Sequence, residues 1–370
     1  MKKTVLITGG AGFIGSHLAT ELLTHGYHVR ALDILAPQVH GPDGRRPEYL
    51  SSEVELIQGD IRDPQTVERA LKGVEAVFHF VALVGVGQSM YQIEHYTSVN
   101  NVGTALLLEK VVKSPIKKLI VASSMSVYGE GLYRMADGRP VTNASRTVDQ
   151  LRRREWEILS DSGEPLIPEA TPEWKTPALA SVYALSKFDQ EQMCLMIGRA
   201  YGIPTVALRF FNVYGPFQAL SNPYTGVLAI FASRLLNGKR PVVFEDGNQL
   251  RDFVCVYDVA QACRLALERP VDGVAVNVGS GERVRIREVA ERIATALDKD
   301  IEPEVSGTFR VGDIRHCFPD IMRARKALGY SPVYNLERGV RDLAAWLESQ
   351  VAKDRFHEMQ QELTARGLVG

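Results

Sequence analysis

The sequence predicts an α/β protein, a doubly wound parallel sheet with a smaller C-terminal lobe interleaved with it. Three observations carry that reading. Short apolar, β-branched runs alternate with amphipathic stretches from Thr4 to Leu208. The first of these runs passes through a glycine-rich turn straight into a helix. Beyond Leu208, helical patterns and short strands continue with no low-complexity linker.

Thr4–Thr8 (TVLIT) reads as the first strand, and Gly9-Gly10-Ala11-Gly12-Phe13-Ile14-Gly15 as the turn that opens a helix running to His25. Gly9, Gly12 and Gly15 have the GxxGxxG spacing: one glycine allows the tight turn, one lets backbone amides approach a pyrophosphate, and one lets helix and strand pack closely. The helix N-terminus adds the positive end of a dipole. Tyr27–Leu32 reads as the second strand and ends in Asp33, 18 residues after Gly15. A carboxylate there accepts a hydrogen bond from a ribose 2′-hydroxyl and repels a 2′-phosphate, so the cofactor is expected to be NAD rather than NADP.

Pro37 to Pro47 reads as a loop. The third strand is Val54–Gln58, followed by Asp60-Ile61, a carboxylate and an apolar residue placed to meet an adenine. Asp63, before Pro64, is the expected helix cap. Val74–Phe80 is expected as the fourth strand, Met90–Val112 as one long helix and Lys117–Ala122 as a buried fifth strand. Regularity lapses between Gly129 and Pro177, an insertion or lid whose Arg152-Arg153-Arg154 run reads as a solvated face. It returns with a helix over Ser181–Tyr201 and a sixth strand over Pro204–Leu208. Tyr224–Leu236, Arg251–Leu267, Arg285–Leu297 and Asn335–Ala352 follow with helical patterns and short strands between them. The expected division gives residues 1–208, with 252–279 returning to them, to the NAD-binding part, and 209–251 with 280–370 to a substrate lobe.

Composition narrows the function classes. The chain has 370 residues, a net charge of -1 and 45% hydrophobic residues, which suggests neither nucleic acid nor an anionic membrane surface as a partner. No run is long enough to cross a membrane. Cys194, Cys255, Cys263 and Cys317 lack metal-ligand spacing, so no metal is expected, and a reducing cytoplasm fits them.

Tyr183 and Lys187 lie four residues apart, hence on one face of the same expected helix. A phenol is a weak base near neutral pH, and a neighbouring ammonium with an oxidised nicotinamide favours its phenolate. The spacing alone proves little, since 13 Tyr and 13 Lys give about half a match by chance. Its weight comes from context: Ser123 to Tyr128 carries three serines at the C-terminal edge of the fifth strand, where open α/β sheets bind ligands.

The ordered motifs TGGAGFIGSHL, GDIRD, HFVAL, NNVGT, SSMSVYG, YALSK, RFFNVYGP, RDFVCVYDVA and the late RVGD and LGYSP resemble those of the extended short-chain dehydrogenase/reductases, in the NAD-dependent nucleotide-sugar epimerase/dehydratase family. The similarity runs from Thr4 to about Pro332. It implies a Rossmann domain and a catalytic set of Ser124, Tyr183 and Lys187, with Asn100 supporting the lysine. It also places Phe13, Ile14, Phe80, Ala82, Asn100 and Phe210 around NAD. Ser124, Ser126, Asn212, Arg251 and Arg310 fall at substrate positions, the last three suited to a diphosphate. For each arginine a structural ion pair is the alternative.

Departures from the family pattern narrow the reaction. Dehydrating members carry an acidic pair after the catalytic hydroxyl residue; here Met125 and Ser126 stand there, and neither can do that work. The stretch resembles 4-epimerases, with Val84 where the UDP-hexose type has a lysine. The insertion and SNPYTGVLAIFASRLLNGK resemble the subgroup that epimerises dTDP-L-rhamnose at C4. A nucleotide-diphosphate sugar is therefore the expected partner, and a UDP-hexose epimerase or a 4-keto reductase the alternative. The helices Met90–Val112 and Ser181–Tyr201 resemble those that form a homodimer interface in this superfamily.

Overall fold

The computed structural model describes residues 3–224, 226–350 and 352–370. Thr225 and Val351, which fall inside the expected segments Tyr224–Leu236 and Asn335–Ala352, lie outside the described residues. Seven parallel strands form the central sheet: β1 (Thr4–Thr8), β2 (His28–Asp33), β3 (Glu55–Gln58), β4 (Ala76–His79), β5 (Lys118–Ser124), β6 (Thr205–Phe210) and β7 (Val274–Val278), in the order β3-β2-β1-β4-β5-β6-β7. The chain starts in the middle of the sheet, builds outward to β3, then returns across β1 to β4. The crevice between the carboxyl ends of β1 and β4 is thus the switch point at which such sheets bind ligands.

Side-chain alternation distributes the core to both faces of the sheet. Val5 and Ile7 pack with Leu18 and Leu22 of the helix Phe13–Thr24 and with Val259, Ala262 and Ala266 of the helix Val256–Glu268. Leu6, between them, points the other way, to Val77, Leu107, Leu108 and Cys194. All seven residues of β5 are buried, as expected for a central parallel strand. Asp63 caps its helix by accepting from the amides of Gln65 and Thr66, with Pro64 at the first position, as the sequence indicates.

The helix Val182–Tyr201 is capped by Ser181, whose hydroxyl accepts from the Ala184 amide at 3.0 Å, and it ends at Gly202 with φ +67°. It lies so close to β6 that a Cβ on Gly198 would fall 2.1 Å from Thr205 Oγ1.

Two expectations need correction. Pro37–Pro47 is not all loop: Pro37–His40 makes a short helical turn started by proline, which brings His40 Nε2 to 3.7 Å from Asp33 Oδ1. Nor is Met90–Val112 one helix. It is divided into a turn at Ile93–Tyr96, a π-helical segment Thr97–Val102 and an α-helix Gly103–Val111. Periodicity cannot reveal this wider turn, which leaves the apolar pattern nearly intact. Asn100, one of the residues expected at the site, sits within it.

The insertion forms its own antiparallel sheet of Leu132–Arg134, Pro140–Val141 and Ile167–Glu169 over a small core of Tyr133, Ile158 and Leu166. Buried charges fasten it to the lobe. Arg315 uses all five guanidinium N–H groups on Glu157, Glu245 and Asp246, and Arg146 meets Glu245 at 2.8 Å. Desolvating these ions is costly, and only such complete pairing makes it tolerable. Arg152 and Arg153 are exposed and paired with Asp149 and Glu155, the solvated face expected for that run. The lobe's main core joins the helices Val227–Leu236, Ile286–Ala296 and Leu336–Leu347 through Phe231, Ile293 and Leu343.

Candidate active site

The glycine turn between β1 and its helix is shaped by contacts that exclude side chains. Gly9 has φ +73°, and a Cβ on Gly15 would lie 2.3 Å from Gly9 O. Gly12 caps the helix without any side-chain bond, which leaves the first-turn amides to a ligand. Asp33, at the end of β2, accepts from the Ala11 amide at 3.1 Å and the Leu35 amide at 2.9 Å, so the carboxylate is fixed beside this cradle. These features fit a dinucleotide: bare amides for a pyrophosphate and an oriented carboxylate for a ribose.

Two other residues expected at the cofactor make protein contacts of their own. Asp60 holds Arg62 through both carboxylate oxygens, at 3.0 and 2.6 Å, and this pairing keeps its carboxyl below the usual range. Ile61 packs its side chain in the core against Gly103. Neither contact could be read from the motif alone.

A cavity of about 440 Å³ opens at the carboxyl ends of the strands. Phe13 and Ile14 of the glycine turn reach it from one side, Ser124, Ser126, Tyr183 and Phe210 from below, and Asn212, Arg251 and Arg310 from the lobe. The structure thus gathers Ser124, Tyr183 and the expected substrate residues around one space, while Lys187 is buried behind it and does not line it. Another hollow, of about 420 Å³, lies among Lys3, Glu75, Lys117 and Asp272, where β1 and β4 begin, and holds none of these groups.

Ser124 ends β5 and caps the turn Met125–Tyr128; its hydroxyl accepts from the Ser126 amide at 3.1 Å and lies 3.1 Å from Ser126 Oγ. Tyr183 is half-buried in the first turn of its helix, and its amide is held by Ser89 Oγ at 3.0 Å. Burial raises the Tyr183 phenol above its ordinary pKa, and a hydrogen bond with Ser124 draws it partly back. The sequence suggested a phenol whose ionisation Lys187 and an oxidised nicotinamide together favour; in the structure the ammonium bonds to another side chain. Lys187 donates to Gln190 Oε1 at 2.8 Å, and burial brings its pKa down to about 8.

Gln190 passes this contact on. Its amide nitrogen donates to Thr104 Oγ1 at 2.9 Å and to Val81 O at 3.2 Å, and Thr104 Oγ1 in turn donates to Asn100 O. Asn100 also holds the β4 exit loop: it accepts from the Leu83 amide at 2.7 Å and donates to Ser186 Oγ at 2.9 Å. The π-helical turn therefore connects the lysine, the helix of Tyr183 and the loop of Phe80 and Ala82. His79, hydrogen-bonded to Thr8 and Thr104, is held at a pKa of about 3 by burial and by Lys187, so it is neutral. Gln190 and Thr104 escaped the sequence reading because neither is a charged or nucleophilic group in a motif.

On the lobe side, Asn212 Nδ2 donates to Asp252 O at 2.9 Å. Arg251 is pinned by the carbonyls of Leu250, Ile314 and Arg315. Arg310 lies 4.6 Å over the Phe244 ring and pairs with Asp313 at 3.0 Å; Arg251 is 4.0 Å from the same carboxylate. Burial works against Asp313, yet Arg310 and Arg251 hold its carboxyl below the usual range. Both arginines thus make structural contacts and line the cavity, and two cations sharing one carboxylate leave a positive excess suited to phosphate.

The sequence reading also missed the cavity's far wall: Phe356, Met359, Leu363 and Leu368 of the C-terminal segment line it. They lie beyond the motifs that carried the resemblance, and an apolar helix stripe gives no sign of facing a ligand. Among the described residues no group of side chains is arranged to hold a metal, no helix is long and apolar enough to cross a membrane, and the four cysteines are buried and free.

Comparison with known proteins agrees with this geometry. Residues 5–155 and 156–279 match the model of the NAD dependent epimerase/dehydratase family. A dTDP-L-rhamnose 4-epimerase of Burkholderia thailandensis is 36% identical, over 94% of this chain and 96% of its own. A putative UDP-glucose 4-epimerase of Methanocaldococcus jannaschii is 32% identical over 93% and 98%. Among solved structures, the UDP-glucose 4-epimerase of Thermotoga maritima with UDP-glucose is similar with a TM-score of 0.76, 30% identity and coverage of 93% and 98%. That of Thermus thermophilus with NAD has a TM-score of 0.73, 32% identity and coverage of 94% and 100%. With the nucleotide cradle, the Tyr183–Lys187 helix and these matches in agreement, the chain belongs to the NAD dependent epimerase/dehydratase family and uses NAD as its cofactor.

Proposed function

We propose that this enzyme inverts C4 of dTDP-L-rhamnose, giving dTDP-6-deoxy-L-talose through a 4-keto intermediate. The observation that carries the reading is the placement of Ser124 and Tyr183 at one side of a cavity whose other side holds Arg251 and Arg310. The first pair suits a sugar hydroxyl and the second a diphosphate. Met125 and Ser126 offer no acid and base for dehydration, and the 36% identical relative is a dTDP-L-rhamnose 4-epimerase. In this reading residues 1–208 with 252–279 hold NAD, and 209–251 with 280–370 hold the nucleotide sugar.

NAD, when bound, supplies the acceptor and later donor of the C4 hydride, so no net redox change results. Gly9, Gly12, Gly15 and Asp33 would hold it, with Phe80, Ala82 and Phe210 beside it. Tyr183, as phenolate, takes the proton from O4 while Ser124 holds that oxygen by a hydrogen bond. Lys187 stabilises the phenolate. Arg251, Arg310 and Asn212 keep the diphosphate anchored, so the ketone turns over without escaping. The exposed apolar side chains Ile93, Val102, Leu185 and Met196 on the two helical regions support a homodimer, which light scattering tests directly.

The deciding experiment incubates the protein with dTDP-, UDP- and GDP-sugars and follows C4 inversion by NMR, beginning with dTDP-L-rhamnose. Inversion with constant NADH absorbance is the expected result. A steady NADH change proportional to turnover would instead identify a reductase or dehydrogenase, and preference for a UDP-hexose would overturn the substrate.

A further inference from the structure

We infer that the C-terminal segment from Phe356 to Leu368 is part of the substrate site, an apolar wall that touches the bound nucleotide sugar. The inference rests on the nucleotide-sugar reading of this cavity. Its first support is position. Phe356, Met359, Leu363 and Leu368 line the cavity shared with Ser124, Tyr183 and Arg310. At one end, Phe356 and Met359 pack with Val242 and Phe244 of the lobe, next to Arg310. At the other, Leu363 reaches the β4 exit loop, where a Cβ on Gly87 would lie 3.1 Å from its Cδ2. The helix Phe356–Ala365 therefore runs from the arginine side of the cavity to the side next to β4.

The second support is how the segment is held. Glu362 Oε2 accepts from Tyr91 at 3.0 Å and from Tyr224 at 2.9 Å, and the two phenols are 2.6 Å apart. Tyr91 follows β4 and Tyr224 belongs to the lobe, so one carboxylate clips both parts of the molecule across the cavity. Arg366 lies 4.2 Å over the Tyr91 ring, and Val311, next to Arg310, donates its amide to Leu368 O at 3.1 Å. The polar groups of the segment serve as fastenings, while the side chains it contributes to the cavity are all apolar. Such a wall leaves a ligand hydroxyl unpaired and favours a methyl group or the face of a base.

Two measurements test the wall. Met359→Ala and Leu363→Ala are expected to raise KM for the nucleotide sugar about fivefold or more, with kcat within twofold and NAD content unchanged. On the unmodified protein, hydrogen exchange over 356–369 is expected to slow when dTDP-L-rhamnose is added to the NAD-loaded enzyme. A KM unchanged in both variants, a loss confined to kcat, or exchange unaffected by the sugar would overturn the wall. If the unmodified enzyme inverts no nucleotide sugar, the function proposed above fails instead. If it inverts one while the variants keep its KM, only the wall fails.

Discussion

Lys187 donates its ammonium to the Gln190 carboxamide, 2.8 Å away and one turn further along the same helix, and not to a carboxylate. The nearest acidic neighbour on the helix, Glu191, is committed to Arg209 at 2.6 Å and to Ser123. A neutral acceptor orients the cation without cancelling its charge, so the charge remains available to a phenolate.

Gln190→Glu tests that arrangement. A carboxylate there favours the ammonium and raises the Lys187 pKa from about 8, by roughly one to three units for so close a pair. The alkaline limb of kcat/KM is expected to move to higher pH, while kcat falls because the lysine's charge is partly neutralised. An unmoved alkaline limb would remove Gln190 from the mechanism.

Tyr183→Phe removes the base while preserving the ring. Turnover is expected to fall by about 10²- to 10⁴-fold, the usual scale for a lost proton-transfer group. NAD content, read from the absorbance of protein-bound cofactor after reduction, stays near the unmodified level. A fully active variant would refute the assignment.

Ser124→Ala separates two effects of one hydroxyl. Its hydrogen bond partly offsets the rise that burial imposes on Tyr183, so its loss raises that pKa further. Below the phenol's pKa a smaller fraction is then ionised, and the acid limb of the pH profile is expected at higher pH, together with a lower kcat. A lower kcat with an unshifted limb would restrict Ser124 to holding the substrate.

The ions that fasten the insertion predict acid sensitivity. Burial opposes ionisation of Glu157 and Asp246, but His316 and Arg315 beside Glu157, and Arg315 beside Asp246, bring both pKa values down to about 2. A carboxyl depressed in the folded state stabilises above its unfolded pKa of about 4 and loses that contribution as pH falls toward 2. Melting temperature is therefore expected to drop between about pH 5 and 2, and Glu157→Gln to flatten part of that dependence. An unchanged slope in the variant would count against this source.

Gly15→Ala addresses the cradle. The added methyl would start 2.3 Å from a backbone oxygen that cannot move without opening the turn. Destabilisation of roughly 1–3 kcal/mol is expected, together with loss of NAD on gel filtration.

Six of the seven strands were legible because each is a compact apolar run next to a turn signal, and β5 and the helix of Tyr183 fall within a residue or two of where periodicity puts them; β7 was covered only by the expectation that 252–279 returns to the NAD-binding part. Ser124, Tyr183, Arg251 and Arg310 stood out because hydroxyls, phenols and cations in ordered motifs carry chemistry on their face. Three things stayed hidden. The π-helical turn around Asn100 changes the winding without changing the pattern. The ion pair between Asp60 and Arg62 is not marked by the motif that contains them. Met359 and Leu363 are ordinary core residues by type, and only packing far along the chain brings Met359 against Val242 and Phe244 and Leu363 against Gly87. Pairing partners and walls contributed from far along the chain are tertiary facts, and no local spacing encodes them.

The neutral setting of Lys187 also makes it a selective handle for labelling. With a pKa of about 8, roughly half of this amine is unprotonated at pH 8, against under 1% for an ordinary lysine. The amine is 3% exposed and lies outside the cavity lining, so a small acylating or Schiff-base reagent meets it only when its helix opens, and labelling of this one among 13 lysines reports that opening.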